Sequence, residues 1–378
     1  MSDSYDTIII GAGIAGCCTA FALHRKGQKV LLIDRSATVA TGGSGAAGAF
    51  VSPKIGKGGA LQQLTNEAFC FAKAFYLDFF PDYFHQTGVI RIPKDEEDAQ
   101  KFSLYATHHT TDYQWLSAEA LHALGIKEDS ASFLFEEAGV CDAPELCHAM
   151  LKYVPFKQFD VKALTYDGTC WTLHASDATL YTHNVVLSTG YENTLFDMRY
   201  MGVRGTWGSR GDYYSSLKLE VSMHKSISVS ANINGIIKLG ATHVKAKEPC
   251  RACQGRPLES LESKAKEMVE SSDFELKETF CGMRAGSKDY VPLAGEVIDV
   301  AYMFENHPAV TRGAKPPLKH FENLYICNGV GGRGFVFAPL MAQWLSELIV
   351  EGKAIDQRVN PDRLFLKWAR KLHAKGAT

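Results

Sequence analysis

The sequence predicts an α/β fold with an α+β part: a Rossmann-like, doubly wound sheet interlocked with an antiparallel-sheet domain. Three stretches of the 378-residue chain carry that expectation. "DTIIIGAGIAGCCTAFALHRKGQKVLLIDRS" runs in the order strand, glycine turn, helix, strand, acid. "NVVLSTGYE", Asn184 to Glu192, is a further buried strand ending in Thr-Gly, and "NLYICNGVGGRGFVFAPLMAQWLSELIVEG" repeats strand, glycine turn and helix near the C-terminus.

In the first unit, a strand over Thr7–Ile10 leads to a helix from about Ile14 to Lys26, stopped by Gly27. A second strand over Lys29–Ile33 closes on Asp34. In Gly11-x-Gly13-x-x-Gly16, the first glycine makes the tight turn, the second lets the backbone approach a pyrophosphate, and the third lets helix and strand pack closely. Free N–H groups at the helix start favour the phosphates. Asp34, eighteen residues past Gly16, is placed to accept both ribose hydroxyls. An isolated glycine triplet is weak, but the complete unit points to an adenine dinucleotide, either FAD or NAD.

The same spacing recurs at Gly43-x-Gly45-x-x-Gly48, after the non-strand-like "SATVAT", and at Gly329-x-Gly331-x-x-Gly334. The last is well placed between strand and helix. Only 44 residues follow Gly334, however, and they hold no second strand ending in an acid, so a second complete nucleotide unit does not fit. A strand-to-helix turn can still aim its N–H groups at an anion, such as the reduced flavin ring, so one extended FAD can use all three loops. The alternative is a plain tight connection. "FKQFDVKALTYDGTCWTLHASDATLYTHNVVLSTG" reads as a strand meander feeding the buried strand at Asn184, an elaboration that suits a flavoprotein nucleotide domain.

Composition is that of an ordinary globular chain, 46% hydrophobic and 22% charged. A net charge of -2 offers no global field for nucleic acid or membrane. "MSDSYDTIII" passes from a polar lead straight into a strand, so neither an export leader nor a membrane span is expected, and the location is expected to be cytoplasmic. Ten cysteines without a framework suit reduced thiols.

The chain resembles the FAD-dependent amine and amino-acid oxidase superfamily, which includes glycine, sarcosine and D-amino-acid oxidases. More narrowly, it resembles the FAD-dependent C-terminal halves of the MnmC family. The likeness rests on "IIIGAGIAG" with "LLID", "GGSGAAGAFVSP", "HQTGVIRIP", "VRG" at Val203–Gly205, "GMRAGSKDYVPLAGEV" and "NGVGGRGFVFAPLMAQWLSELI". It implies FAD contacts from Gly11, Gly13, Ile14, Ala15, Gly16, Asp34 and Arg35, and from Gly43, Ser44 and Gly45. Val161, Thr189, Gly190, Gly331, Gly332, Arg333, Gly334 and Phe335 complete the set. Two departures stand out. Ala46 replaces an Asn associated with MnmC, and residues 208–269 align with no motif. The implied division is an FAD-binding domain from 1–81, 136–202 and 281–378, with a substrate domain from 82–135 and 203–280.

In that superfamily an amine bearing a carboxylate is oxidised at the carbon next to nitrogen, and the imine hydrolyses. Arg284 matches the carboxylate-binding arginine, whose planar fork makes two charge-assisted bonds. The alternative for Arg284 is a salt bridge, as to Asp289. Arg333 is assigned to catalysis or to a cofactor or backbone contact, while Asp289 and Pro292 are expected to shape the turn. For MnmC the substrate is 5-carboxymethylaminomethyl-(2-thio)uridine at the tRNA wobble position, which would yield 5-aminomethyl-(2-thio)uridine and glyoxylate. With the first strand beginning at Thr7 the methyltransferase half is not expected, so any later methylation falls to a separate methyltransferase. Oxygen is the expected acceptor. The alternatives are a small-molecule amino-acid oxidase and a flavin-containing binding subunit without turnover.

Three further features are read conservatively. Cys250-x-x-Cys253, with His243 upstream and Cys281 or a distant His to complete it, is half of a zinc pattern, and no metal is assigned. Lys245, Lys247, Arg251 and Arg256 are either a solvated loop or a tRNA contact. "RLFLKWARKLHAKG" packs one face on the core and solvates Arg363, Lys367, Arg370 and Lys371.

Overall fold

The computed structural model describes residues 4–192, 194–244, 256–270 and 273–373. Strand Ser4–Ile10 lies at the centre of the first sheet because its apolar run has no solvent-facing side. Ile9 packs into the core on one face, and Ile8 and Ile10 pack into the core on the other. The parallel order is Phe156–Gln158, Val30–Asp34, Ser4–Ile10, Thr179–Leu187, His320–Asn328, with Leu293–Ile298 antiparallel at the edge. Helices Ile14–Arg25, Ala60–Phe79 and Gly334–Glu351 cover the first face. The second face is covered in part by helix Asp362–His373, through Leu364, Phe365 and Ala369.

One expectation changes here. Phe156–Gln158 does not open the meander; it is the parallel neighbour of Val30–Asp34, outermost on that side. The true meander is Ala163–Tyr166, Trp171–His174 and Thr179–Leu187. A strand of three residues is too short to signal which neighbour it will pair with.

The second sheet has eight strands and starts at one edge with the long antiparallel pair Glu275–Gly286 and Arg204–Tyr214. Val89–Arg91, Gln114–Leu116 and Ser132–Phe135 join it through a parallel pairing of Val89–Arg91 with Ser222–His224. Helix Arg256–Met268 covers it with Leu258, Leu261, Ala265 and Met268, at helical spacing. The division expected at 280/281 cuts strand Glu275–Gly286 in two, whereas the whole strand, Arg284 included, belongs to this sheet. Its last residue, Gly286, bridges to Val330 and so docks the sheet on the C-terminal glycine loop.

A separate three-stranded sheet is formed by Phe50–Val51, Gly139–Cys141 and Phe84–His85. Asp142 follows it and binds His85 at 2.7 Å and Lys238 of the second sheet at 2.8 Å. Burial alone would raise this carboxyl, but its two partners outweigh burial and hold it down at about 2. A folded-state value below the unfolded one stabilises the protein above the unfolded value, and that contribution is lost as pH falls through about 2. Asp142→Asn is therefore expected to cost about 2 kcal/mol near neutral pH. Denaturant titrations of both proteins should converge as pH falls from about 4 towards the folded-state value; a deficit that ignores pH would contradict the assignment.

The cysteines depart in part from the expectation of reduced thiols. Cys17, Cys18, Cys141, Cys147 and Cys327 are buried free thiols, but Cys281 is disulfide-bonded. Cys250, Cys253, Lys245, Lys247 and Arg251 lie outside the described residues. Among the described residues no group of three or more His, Cys, Asp or Glu is arranged to hold a metal, and no helix is long and apolar enough to cross a membrane.

Candidate active site

A cleft of about 530 Å³ runs between the two large sheets. At one end the Asp34 carboxylate accepts from the Ala12 N–H at 2.8 Å and from the Ser36 N–H at 2.9 Å, which pins the first glycine loop to the end of the next strand. Arg35 pairs with Glu192 across this end, and Val161 completes the wall. Gly11 and Gly13 face the cleft, with Ile14 and Ala15 at the helix start. Gly11 is left-handed at φ +108°, and a Cβ on Gly16 would stand 1.9 Å from its carbonyl oxygen, so neither position accepts a side chain. The Ile14 N–H does not point free; it donates to Ser44 Oγ at 2.9 Å, which ties the first loop to the second.

Gly43 and Ser44 line the middle of the cleft, and Thr189 and Gly190 enter from the neighbouring strand. Gly331, Gly332, Gly334 and Phe335 bring in the C-terminal loop. Three expected cofactor residues are not in the wall: Gly16, Gly45 and Arg333. Gly16 packs against Gly11, and Gly45 turns its carbonyl to Arg210. Arg333, at the N-cap of helix Gly334–Glu351, feels Arg91 and Lys54 on the side of the second sheet.

The other end of the cleft is lined by Trp207, His224, His243 and Arg284. Arg284 lies opposite Thr206 in the antiparallel pair, and its side chain donates to the Thr242 carbonyl at 3.3 Å. No carboxylate pairs with it among the described residues. Asp289, the alternative partner, is instead held by Arg363 at 2.9 Å and by Ser287 Oγ at 2.9 Å. Burial therefore pushes the Arg284 guanidinium down. Gly208 makes room for it, since a Cβ there would stand 2.3 Å from Arg284 Nη2. Burial, and then the Arg284 charge, push His243 below the ordinary imidazole value. His224 is lowered further, by burial and then by Arg91 and Arg333.

Sequence reasoning missed Gly208, His224, Arg91 and Lys54 as contributors. Arg91 was visible only inside the matched stretch "HQTGVIRIP", and Gly208 and His224 fall where no motif aligns.

The residues fit a bound FAD on features of this cleft. The glycine turn leaves no space for a Cβ, as a close backbone approach requires. Ser188 Oγ and Trp207 Nε1, both in wall residues, are buried without a partner among the described residues. The acid-bearing end and the cationic end are joined by one continuous wall.

Known proteins agree. The model of the DAO family, FAD dependent oxidoreductase, matches residues 6–348. The chain is 26% identical over 404 residues to the tRNA 5-methylaminomethyl-2-thiouridine biosynthesis bifunctional protein MnmC of Shewanella amazonensis, covering 97% of the chain and 60% of that protein. MnmC of Legionella pneumophila (strain Lens) is 23% identical over 388 residues, covering 95% and 57%. The chain thus spans less than two thirds of the length of these relatives. Among solved structures, glycine oxidase from Geobacillus kaustophilus superposes with a TM-score of 0.79 at 18% identity, covering 94% of this chain and 97% of that one. Iminodiacetate oxidase from Chelativorans sp. BNC1 superposes at 0.75 and 17%, covering 94% and 98%. At such identities the superpositions speak for the fold alone. From the match over residues 6–348, the chain belongs to the DAO family and is an FAD-dependent oxidoreductase.

Proposed function

We propose that this oxidoreductase removes the carboxymethyl group from 5-carboxymethylaminomethyl-(2-thio)uridine at the tRNA wobble position, in the cytoplasm. The products are 5-aminomethyl-(2-thio)uridine and glyoxylate. The observation that carries the reading is Arg284, a largely buried guanidinium in the cleft wall with no acidic partner among the described residues. Such a charge is stable only when a ligand supplies the counter-charge, and a carboxylate matches its fork. Likeness to MnmC over 97% of the chain supports a tRNA-borne carboxylate over a free amino acid.

Bound FAD supplies the two-electron acceptor for oxidation of the C–H next to nitrogen. The chain's own residues do the rest. Arg284 holds the carboxylate and so fixes which carbon is presented. His243, held below the ordinary imidazole value, is the wall residue available to take the amine proton. The surrounding positive charge disfavours the ammonium form of the substrate, and only the free amine is oxidised. The secondary amine becomes an imine by losing two electrons and two protons. Water adds to the imine carbon, and the C–N bond breaks to leave the amine on the base. With dioxygen as final acceptor, substrate, water and O2 give amine, glyoxylate and hydrogen peroxide.

Anaerobic mixing of the yellow holoenzyme with tRNA bearing the carboxymethylaminomethyl group should bleach the flavin and release glyoxylate. Bleaching by glycine, sarcosine or D-alanine but not by this tRNA would replace the reading with a small-molecule oxidase. Bleaching by none of them would leave a binding subunit.

A further inference from the structure

Among the described residues, Tyr290 is the most exposed large aromatic or aliphatic side chain, at 77%. It also holds a left-handed backbone, φ +65°, that a bulky residue rarely adopts. The other non-glycine residues described in that region are Ala40, Ala49, Asn234 and Asn323, all smaller. Glycine would sit there without strain, and a ring so exposed is not kept for the core.

The turn that carries Tyr290 is tightly held. The Tyr290 N–H donates to the Ser287 carbonyl at 3.3 Å, Ser287 Oγ donates to the Val291 carbonyl at 2.6 Å, and the Val291 N–H donates to the Asp289 carboxylate at 3.2 Å. Arg363, in the first turn of helix Asp362–His373, donates to the Asp289 carboxylate at 2.9 Å and to the Val291 carbonyl at 2.9 Å. Tyr290 thus stands between the two residues that Arg363 grips, and its ring is presented on a fixed base. Strain that the surroundings over-determine in this way is characteristic of a working site.

The same helix extends the surface. Lys367, Arg370 and Lys371 follow Arg363 at i+4, i+7 and i+8, on the face opposite buried Phe365 and Ala369. All three are exposed, and among the described residues none is paired with a carboxylate. The two nearest acids are already engaged, Asp289 by Arg363 and Asp362 by His320 at 2.9 Å. Arg370 also reaches Gly313, where a Cβ would stand 3.6 Å from its Cδ, so the exposed Arg312 adjoins the stripe. At most about 14 Å of chain separates Tyr290 from Gly286. Gly286 in turn bridges Val330 in the wall of the cleft.

We propose that Tyr290 and this basic stripe form a docking surface for single-stranded RNA beside the cleft. An unstacked base lies on the Tyr290 ring, and Lys367, Arg370 and Lys371 answer backbone phosphates. A duplex or an acidic protein would use the cations alone, whereas the fixed ring calls for a splayed base. That the RNA is the loop bearing the modified uridine rests on the function proposed above.

The test measures binding of the holoenzyme to an unmodified anticodon stem-loop RNA, and to an RNA duplex of equal length, by fluorescence anisotropy at several salt concentrations. Wild type should favour the stem-loop. Tyr290→Gly should bind it about 10-fold more weakly with the same salt dependence. Its flavin content and melting temperature should stay at the wild-type level, because glycine adopts this φ freely. Tyr290→Phe keeps the ring and should bind as wild type does. Lys367→Gln combined with Lys371→Gln should instead lower the slope of log affinity against log salt by about 1.4. Wild-type affinity in Tyr290→Gly, or equal binding of stem-loop and duplex, overturns the inference. None of these readings needs turnover. Stem-loop binding that depends on Tyr290, in a holoenzyme that modified tRNA does not bleach, would reject the proposed function and keep the surface.

Discussion

Replacing Arg284 with alanine is expected to lower kcat/KM for the carboxylate-bearing substrate by between about 10² and 10⁴, chiefly through KM, at unchanged flavin content. The magnitude comes from truncating one side of a buried, charge-assisted pair, which costs about 3–5 kcal/mol because the substrate carboxylate is then desolvated without a partner. Arg284→Lys keeps the charge but loses the fork, and an intermediate loss is expected. Gly208→Ala should reproduce part of the effect without touching the charge. The new Cβ would stand 2.3 Å from Arg284 Nη2 and 3.0 Å from the Thr242 carbonyl oxygen, so the guanidinium must swing away. Steady-state kinetics on tRNA, with the flavin-to-protein absorbance ratio as control, reads all three variants. Near-normal kinetics for Arg284→Ala would remove its assigned role.

The largest expected effect on stability is at Arg210, a residue that no motif marks. Its side chain is 1% exposed and reaches from the second sheet into the second glycine loop. There it donates to the carbonyls of Gly45, at 3.1 Å, and Ala47. It also lies over the Phe280 ring at 4.0 Å and faces Asp212, with Nε and Oδ1 2.8 Å apart. Arg210→Ala strands the Asp212 carboxylate, which is 9% exposed, and unties the loop. A loss of about 3–5 kcal/mol in denaturant titration is expected. FAD should then wash out on dialysis, because the loop that presents Gly43 and Ser44 is no longer anchored.

A companion variant separates the two roles. Arg210→Met with Asp212→Leu replaces the ion pair by apolar groups, which recovers much of the stability. It leaves the loop carbonyls without a donor, so flavin retention should remain poor. Recovery of flavin together with stability would show that Arg210 acts only on the fold.

Much of the nucleotide end was legible in the chain because its signals are local. The run from Thr7 to Asp34 contains its own strand, turn, helix and acid, and it folds as read, to within a few residues at each boundary. Turn chemistry and hydrophobic period are settled by near neighbours in sequence, so they survive without knowledge of the rest. The same logic reads the stretch after Gly334 as helical. The chain there forms helix Gly334–Glu351 and later helix Asp362–His373, which packs on the opposite face of the sheet.

The tertiary structure alone decided which charges are answered. In sequence, Arg284 and Asp289 are close enough to pair, yet the turn at Ser287–Val291 hands Asp289 to Arg363 and leaves Arg284 to the cleft. Arg333 lies between Gly332 and Gly334, which line the cleft, and its charge also lowers Arg91 of the second sheet. Arg210 and Gly208 matter only because two strands lie in one particular register. By itself, then, the sequence determined the family, the cofactor and the order of elements around it, since short-range patterns encode them. The surroundings of Arg284 and the anchoring of the second glycine loop by Arg210 came from chain closure, because an ion's partner is chosen by distance in space, and distant segments meet only in the folded molecule.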